Sequence, residues 1–111
     1  MADRWIGYAA PGSEGDLAEA LAAVAPFSVL TLASSAQDLR SRARQSEPCT
    51  VGVVVGLTEE GVSDINLAAA VAGDGIARQV VLVATRASGS LRSRARRAGV
   101  SQVVEIGRAH V

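Results

Sequence analysis

The sequence predicts the α/β fold class, with a doubly wound, five-stranded parallel sheet. Five apolar runs begin about 22 to 29 residues apart, which leaves room for one helix between successive strands. The last three runs are continuous and rich in valine, as expected of strands buried on both faces of a parallel sheet. The segments between the runs have the apolar spacing and the start or stop signals of helices.

The predicted strands and helices alternate along the whole chain. The strands are expected at Trp5–Ala9, Ser28–Ala33, Thr50–Leu57, Gln79–Ala84 and Gln102–Ile106. Crossovers between parallel strands are right-handed, and the common order for five strands is 2-1-3-4-5, the flavodoxin-like arrangement. Few residues follow the fifth predicted strand, so we expect the fifth helix of that arrangement to be missing from this chain.

Four helices have recognisable ends. Serine side chains at helix starts accept backbone N–H hydrogen bonds, whereas proline and left-handed glycine end helices. We expect start signals at Ser13 with Asp16, at Ser35, after Thr58 and at Ser90, and stop signals at Pro26, Gly73 and Gly99. The segment Leu39–Arg44 recurs unchanged as Leu91–Arg96, in the second and fourth helices. Two explanations are open: a duplicated strand–helix–strand unit, or a chance repeat on two exposed helices.

The composition is that of a single globular domain covering residues 1–111, which we expect to be the N-terminal part of a longer protein. Of the 111 residues, 49 % are hydrophobic and 20 % are charged, and 11 Arg balance 11 Asp and Glu. The absence of net charge argues against nucleic-acid binding. One Cys (Cys49) and one His (His110) exclude an intrachain disulfide and a Cys/His zinc site. No apolar run is long enough to span a membrane and no targeting segment is evident, so we expect a cytoplasmic protein.

The residues that follow the predicted strands carry no evident catalytic machinery. Ligands of open α/β sheets bind beyond the carboxyl ends of the strands. No carboxylate stands directly there, and Glu59 and Glu60, in the loop after the third strand, come closest. Glycine loops for dinucleotides or phosphates are absent, the chain has no Lys, and no Ser lies in a nucleophile elbow. We therefore expect no enzymatic activity, no cofactor and no metal site.

The loop after the fourth strand and the helix that follows it are the best candidates for a binding site. The loop combines hydroxyls, a flexible glycine and a helix start, which suit an anion or a protein partner, although a plain helix cap accounts for the same residues. Its candidate residues are Arg86, Ser88, Gly89 and Ser90. The helix has an arginine-rich polar side, which is either a partner interface or a solvated face. The candidate interface residues are Arg92, Arg94, Arg96, Arg97 and Val104.

Two stretches in the second half of the chain resemble the receiver domains of response regulators. Val80–Ala84 resembles the fourth receiver strand, and Arg97–Val104 resembles the K-A-G-A-x-x-Y-L passage that leads into the fifth. The resemblance implies a CheY-like fold with an acidic pair for magnesium, a phosphoacceptor Asp, a Ser or Thr, and a Lys at the strand ends. Those positions fall near Ala9 and Ala10, at or beside Gly56, on Ala84 or Thr85, and near Gly107. Only the hydroxyl position can be retained, and only if it falls on Thr85, so the chain resembles a degenerate receiver that is not phosphorylated.

Receiver-like domains of this kind stand at the N-terminus of TadZ/CpaE-type proteins, which help to localise the assembly machinery of Flp (Tad) pili. The run Ser88–Arg92 is similar to that group. The resemblance implies a protein-interaction or localisation module, followed by a ParA/MinD-like ATPase domain. The alternative is a small-ligand or anion-binding domain that uses the loops after strands one, three and four. A third possibility is a transcription regulator separated from its C-terminal region.

The side of the fifth strand that bears Val104 has no helix to cover it in this arrangement. An uncovered apolar sheet face is unusual on a soluble monomer, so we expect protein partners and a two-fold homodimer. In that dimer we expect the arginines of the fourth helix at the rim, where they meet Glu105 or Asp74 of the other copy.

Overall fold

Nine elements alternate along the part of the chain that the structure describes. The computed structural model describes residues 4–46, 51–57, 61–75 and 77–106, and at 61–63 it describes the backbone alone. In chain order the elements are β1 (Arg4–Tyr8), α1 (Glu14–Val24), β2 (Val29–Leu32), α2 (Ala36–Gln45), β3 (Val51–Gly56), α3 (Gly61–Gly73), β4 (Gln79–Ala84), α4 (Gly89–Ala98) and β5 (Gln102–Glu105). None of these helices is both long and apolar enough to cross a membrane. The sequence predictions at Cys49, Thr58, Glu59, Glu60, Gly107 and His110 concern residues outside the described ranges.

The five strands form one parallel sheet in the order β2-β1-β3-β4-β5, which confirms the predicted fold class and topology. Each strand begins and ends within one residue of its predicted bounds. Trp5 of β1 lies beside Leu30 of β2 on one side and beside Gly52 of β3 on the other. The strands β2 and β5 are therefore the two edges of the sheet, and β3 is its centre.

The sheet separates two apolar layers. One layer joins α2, α3 and α4 to the sheet, and its buried members include Ile6, Leu39, Val53, Val55, Val71, Leu82 and Ala95. The other layer lies under α1, which packs on β1 and β3, and its buried members include Trp5, Leu17, Leu21, Val54, Val81 and Val83. Both Val81 and Val83 are only 1 % exposed, so β4 is well covered on the α1 face.

The indole of Trp5 contributes a large part of the apolar surface on the α1 face. Trp5 is 1 % exposed, and its ring lies against the backbone of Gly52 on the neighbouring strand. A Cβ at position 52 would come within 2.6 Å of the ring atoms. The close approach therefore requires glycine at this position, because any side chain would displace the ring.

The helix ends follow the sequence signals only in part. Ser35 Oγ accepts the Asp38 N–H at 3.0 Å, which confirms the predicted start of α2. Gly99 ends α4 in the left-handed conformation with a φ of 95°, also as predicted. The helix start predicted at Ser13 is confirmed, since α1 begins at Glu14, but the Ser13 side chain makes no cap hydrogen bond, so a cap by Ser13 together with Asp16 is wrong. The backbone at Ser13 does not turn its hydroxyl towards the first helical amides, since its φ and ψ lie outside the extended region typical of a cap.

The Asp38 side chain links the segment before α2 to the next turn of the helix by hydrogen bonds. Its Oδ2 accepts from the Ser34 N–H at 2.9 Å, from Ser34 Oγ at 3.2 Å and from Arg42 Nε at 3.0 Å. The backbone hydrogen bond from Ser34, followed by the one from Arg42, holds the pKa of Asp38 below its ordinary value of 3.8. The folded state therefore favours the carboxylate. The stabilisation is complete above the ordinary pKa and is lost as the pH falls through the lowered one.

We expect Asp38→Asn to destabilise the fold at neutral pH, and its difference from the wild type to shrink as the pH falls through the lowered pKa of Asp38. Urea unfolding followed by circular dichroism at a series of pH values measures that difference. Ser35→Ala is the control, because it removes a cap from the same turn without removing a titrating group. It should cost about 1 kcal/mol at every pH. An Asp38→Asn effect that stays constant with pH contradicts the assignment.

Candidate functional site

The carboxyl ends of β1, β3 and β4 meet at the edge of the sheet where parallel α/β proteins bind ligands. After β1, Ala9 is buried and Ala10 is half-buried, while β3 ends at Gly56 and β4 leads into the exposed Thr85. Magnesium requires oxygen ligands, and the alanines and the glycine offer no side-chain oxygen. The residues at these positions therefore do not fit a magnesium ion. Within the described ranges, no three His, Cys, Asp or Glu side chains are grouped to hold any metal ion.

Backbone atoms fill the end of β3, where a receiver would carry its acceptor side chain. Gly56 has a φ of 154°, and a Cβ at this position would overlap the carbonyl oxygen of Val83 on β4. Leu57 follows with a φ of 58°, a left-handed conformation that is uncommon for a bulky residue. Two consecutive residues in sparsely populated conformations mark local backbone strain. The strand end is therefore shaped for glycine, and a side chain fits there only if β4 moves.

A small pocket opens beside this strand end. It has a volume of about 220 Å³, and Leu57, Asp64, Thr85, Arg86 and Leu91 are among its lining residues. That volume is below the range of about 300–1,000 Å³ typical of small-molecule sites. Asp64 is 5 % exposed and lies in the first turn of α3, where the helix dipole favours a negative charge. Sequence reasoning missed Asp64, although an acid in the first turn of a helix is a recognisable signal.

The polar groups of the loop between β4 and α4 are largely bonded within the chain. Ser88 caps α4, because its Oγ accepts the Leu91 N–H at 3.1 Å. This corrects the start signal predicted at Ser90, which lies exposed in the first turn. The carboxylate of Glu105 on β5 accepts the Ala87 N–H at 2.8 Å. An internal carboxylate therefore already accepts one amide of the loop, just before the helix cap.

Anion binding by this loop stays a prediction, because two of its candidate residues remain accessible to a ligand. Arg86 and Gly89 are exposed, and Arg86 forms no ion pair with another described residue. Arg86 borders the pocket beside β3 and also lies next to the start of α4. The loop thus presents one positive charge to solvent, close to an amide that already donates to the Glu105 carboxylate.

Most of the arginines of α4 face solvent without a counter-ion. Arg92 is held in place, since its Nε donates to the Ala87 carbonyl at 3.3 Å and its terminal nitrogen lies 3.9 Å from Glu105. The other three arginines are exposed and form no ion pair with any described residue: Arg94, Arg96 and Arg97. Because α4 itself contains no acid, the helix presents a concentrated positive charge.

The identical hexapeptide in α2 has the opposite electrostatic surroundings. Arg40 and Arg44 lie 3.5 and 3.7 Å from the same carboxylate oxygen of Asp74, at the end of α3. Arg42 pairs with Asp38 one turn earlier, at 3.0 Å. Every arginine of this copy therefore has an acid within reach in its own chain. The arginines of the same six residues are therefore all paired in α2, where three of them share two acids, and mostly unpaired with described residues in α4.

The β5 edge differs in one way from its predicted character. Val104 faces the α1 layer and is half-buried, in a groove that Asp16 and Glu19 of α1 also line. It is therefore not part of a wide uncovered apolar face. The expected contacts between α4 and Asp74 or Glu105 of a second copy stay a prediction, and within one chain both acids already form exposed ion pairs.

Comparisons with known proteins support the architecture. No protein-family model matches the chain, and no curated protein matches it significantly. A solved response regulator from Thermotoga maritima superimposes with a TM-score of 0.72 at 14 % sequence identity, over 96 % of this chain and 86 % of that one. The chain has the fold of a receiver domain. At this identity the likeness concerns the fold, and it confirms the CheY-like, flavodoxin-like architecture expected from the sequence.

We expect Gly56→Ala to lower the free energy of unfolding by about 3 kcal/mol or more. The added methyl group overlaps the Val83 carbonyl, and the positive φ becomes strained. Urea unfolding curves give the difference. Gly15→Ala is the matched control, because Gly15 lies in α1 with no atom within 4 Å of an added Cβ, and it should stabilise by about 0.5–1 kcal/mol. Equal unfolding midpoints for Gly56→Ala and the wild type contradict the close approach.

Proposed function

We propose that this domain is a receiver-like module that is not phosphorylated and that binds an acidic protein surface through α4. The positive charges that carry the proposal are Arg94, Arg96 and Arg97, with Arg86 and Arg92 beside them in and after the preceding loop. Val104 of β5 packs on the α1 side of the sheet, opposite α4, so it is not part of this surface. The module has no enzymatic activity of its own under this proposal, and its partner is a protein and not a nucleic acid.

The observation that carries the proposal is the contrast between two copies of one hexapeptide. Both copies lie on helices of the same layer and bury their alanine, Ala43 in α2 and Ala95 in α4. In α2 all three arginines pair with an acid, whereas in the α4 copy Arg92 alone pairs with a described acid, Glu105. Exposed arginines are enriched at protein interfaces, and charges of one sign steer an oppositely charged partner to its site. The acids that α4 lacks within its chain are those that a partner would provide.

The end of β3 supports the absence of phosphorylation. Phosphoryl transfer to a receiver forms an acyl phosphate on a carboxylate, and the positions in question carry Ala9, Ala10 and Gly56. Gly56 adds a second obstacle, because the Val83 carbonyl takes up the space of a side chain. A partner of this domain would therefore recognise one fixed surface, without a phosphorylation switch at this position.

At a finer level, we propose a role like that of the N-terminal domains of TadZ/CpaE-type pilus assembly proteins. The similarity of Ser88–Arg92 to that group supports this reading, together with the receiver fold and the exposed charge of α4. The domain would then localise a cytoplasmic ATPase whose sequence follows it. The small-ligand alternative has weaker support, because the pocket beside Arg86 is small and Glu105 already accepts the Ala87 N–H of the neighbouring loop.

Incubation with acetyl phosphate and magnesium should leave the mass of the protein unchanged. The reason is that no carboxylate stands at the end of β1 or β3 to bind the metal or accept the phosphoryl group. Intact-mass spectrometry checks this, with an active receiver domain treated in parallel as the positive control. A mass gain of one phosphoryl group that hydroxylamine removes contradicts the proposal.

Removing the exposed charges of α4 should weaken binding to an acidic polypeptide. We expect Arg94→Gln, Arg96→Gln and Arg97→Gln together to lower the affinity for fluorescent poly-glutamate about tenfold or more, since each exposed ion pair contributes up to about 1 kcal/mol. Fluorescence anisotropy at low ionic strength measures the affinity. Added salt should abolish the binding, because exposed charges are screened.

The copy of the hexapeptide in α2 supplies the matched control for this experiment. Arg40→Gln, Arg42→Gln and Arg44→Gln remove the same number of positive charges, but from arginines already paired with acids. We expect this variant to lose less than about threefold in affinity. Circular dichroism confirms that both variants are folded. An equal loss in the two variants shows that overall charge and not α4 attracts the polypeptide, which contradicts the proposal.

A further inference from the structure

The largest exposed apolar side chains of the described residues lie at the β2 edge of the sheet, far from α4. Phe27 is 96 % exposed, Val29 is 66 % exposed and Leu32 is 42 % exposed. The flanking helices cover the strand only in part, because α1 packs mainly on β1 and β3 while α2 packs on β1 and α3, and only Leu30 of the strand is half-buried. The strand therefore offers apolar side chains and an open backbone edge to solvent.

The β2 edge also lacks the charges that usually keep edge strands apart. No charged residue occurs between Glu19 and Asp38, although 20 % of the chain is charged. Natural proteins commonly protect an open edge with charged side chains, a proline within the strand or a bulge. Here Pro26 precedes the strand, and the segment from Phe27 to Ser35 carries none of these residues.

The backbone of β2 presents a defined set of free groups. The Ala33 N–H donates to the Gly7 carbonyl of β1 at 2.7 Å, so the odd-numbered residues of this segment direct their N–H and C=O groups towards β1. Alternate residues of a strand face opposite sides. The N–H and C=O groups of Leu30 and Leu32 therefore point outward. Ser28 and Ser34 are not part of the free set, since their N–H groups donate to Ala25 and Asp38.

We infer that β2 pairs with β2 of a second copy of this chain, antiparallel and with Thr31 on the two-fold axis. In this register Leu30 lies opposite Leu32 of the second copy, and each pair exchanges both of its backbone hydrogen bonds. Four hydrogen bonds form across the edge, and they satisfy every outward N–H and C=O of Leu30 and Leu32 in both copies. The sheets of the two copies then become continuous. This surface is separate from the α4 surface of the proposed function and does not depend on it.

The register that satisfies the backbone also matches the side chains. On the α1 face, the half-buried Leu30 meets the exposed Leu32 of the second copy. On the α2 face, Val29 lies opposite Ala33 of the second copy, and the two Thr31 side chains meet at the axis. Apolar and threonine cross-strand pairs of this kind stabilise antiparallel sheets. Phe27 comes beside the segment that follows β2 in the second copy, which shields its ring from water.

The second copy is the occupant that this edge fits, because the edge is complementary to itself. Two copies of an uncharged strand place no like charges opposite each other, whereas like charges directly opposite are destabilising. A shift of the pairing centre to Leu30 would place Leu32 opposite Ser28, whose N–H is already bonded to Ala25. With the pairing centre at Thr31, the N–H and C=O groups of both Leu30 and Leu32 all find a partner. A strand from another protein is the rival occupant, and the experiment below separates the two.

Disulfide trapping tests the pairing and its register. In a Cys49→Ala background, Thr31→Cys places the two thiols on residues directly opposite each other, with Cα atoms about 4.5 Å apart, within the range of disulfides. Val29→Cys is the matched control: it is equally accessible and faces the same side, but lies about 13 Å from its own copy in this register. We expect Thr31→Cys to form covalent dimers at least about tenfold faster than Val29→Cys. Equal rates, or faster trapping of Val29→Cys, overturn the inference.

Sedimentation equilibrium tests the same edge without cross-linking. The wild type should approach twice 11.3 kDa as its concentration rises, and Thr31→Lys should shift the association constant about tenfold or more towards the monomer. Ser41→Lys, on the exposed side of α2, should associate as the wild type does. A wild type that stays monomeric overturns the inference and leaves the edge to a foreign strand. A dimer that Thr31→Lys does not weaken also overturns it and places the contact elsewhere.

Discussion

The rest of the structure depends on the complete burial of β3. All six residues of this strand are buried, and its valines alternate between the two apolar layers. A strand that is apolar on both faces has to be covered on both, which is why helices lie on each side of the sheet. The same burial fixes the end of the strand. Gly56 passes so close to the Val83 carbonyl that only glycine fits there, and this position therefore offers no side chain to the edge where receivers perform their chemistry.

The sheet could be predicted from the sequence because parallel strands that are buried on both faces consist of continuous runs of apolar residues. The Val-rich runs set the bounds of β3 and β4, and their spacing set the order of the strands. Helix caps were less predictable, because a cap depends on the φ and ψ angles of one residue. Ser35 adopts the extended conformation that a cap needs, whereas Ser13 does not. In the sequence Ser88-Gly89-Ser90, two hydroxyls compete for one role, and only the path of the loop decides that Ser88 takes it.

The candidate site was harder to predict, because its character depends on partners that are distant in the sequence. A repeated hexapeptide predicts two similar helices, and the structure confirms that both bury their alanine. It cannot predict that Asp74 reaches Arg40 and Arg44, while Glu105 reaches only Arg92. The difference arises from the order of the strands. Because α2 lies beside α3, it gains the acid at the end of α3, whereas α4 lies at the β5 edge with one acid for four arginines.

The two edges of the sheet thus suit different partners, because the two copies of the hexapeptide give them different surface charge. At the β2 end, the three arginines of α2 share two acids, so this side carries less unbalanced charge than α4, and an identical copy meets less repulsion there. At the β5 end, the unneutralised arginines of α4 would repel their own copies at close range, so this edge is suited to an acidic partner and not to self-pairing. One surface is self-complementary and the other is complementary only to a different protein. Since the sheet holds them at opposite edges, a homodimer formed through β2 would display two separate α4 surfaces, and a partner with repeated acidic sites would gain from binding both.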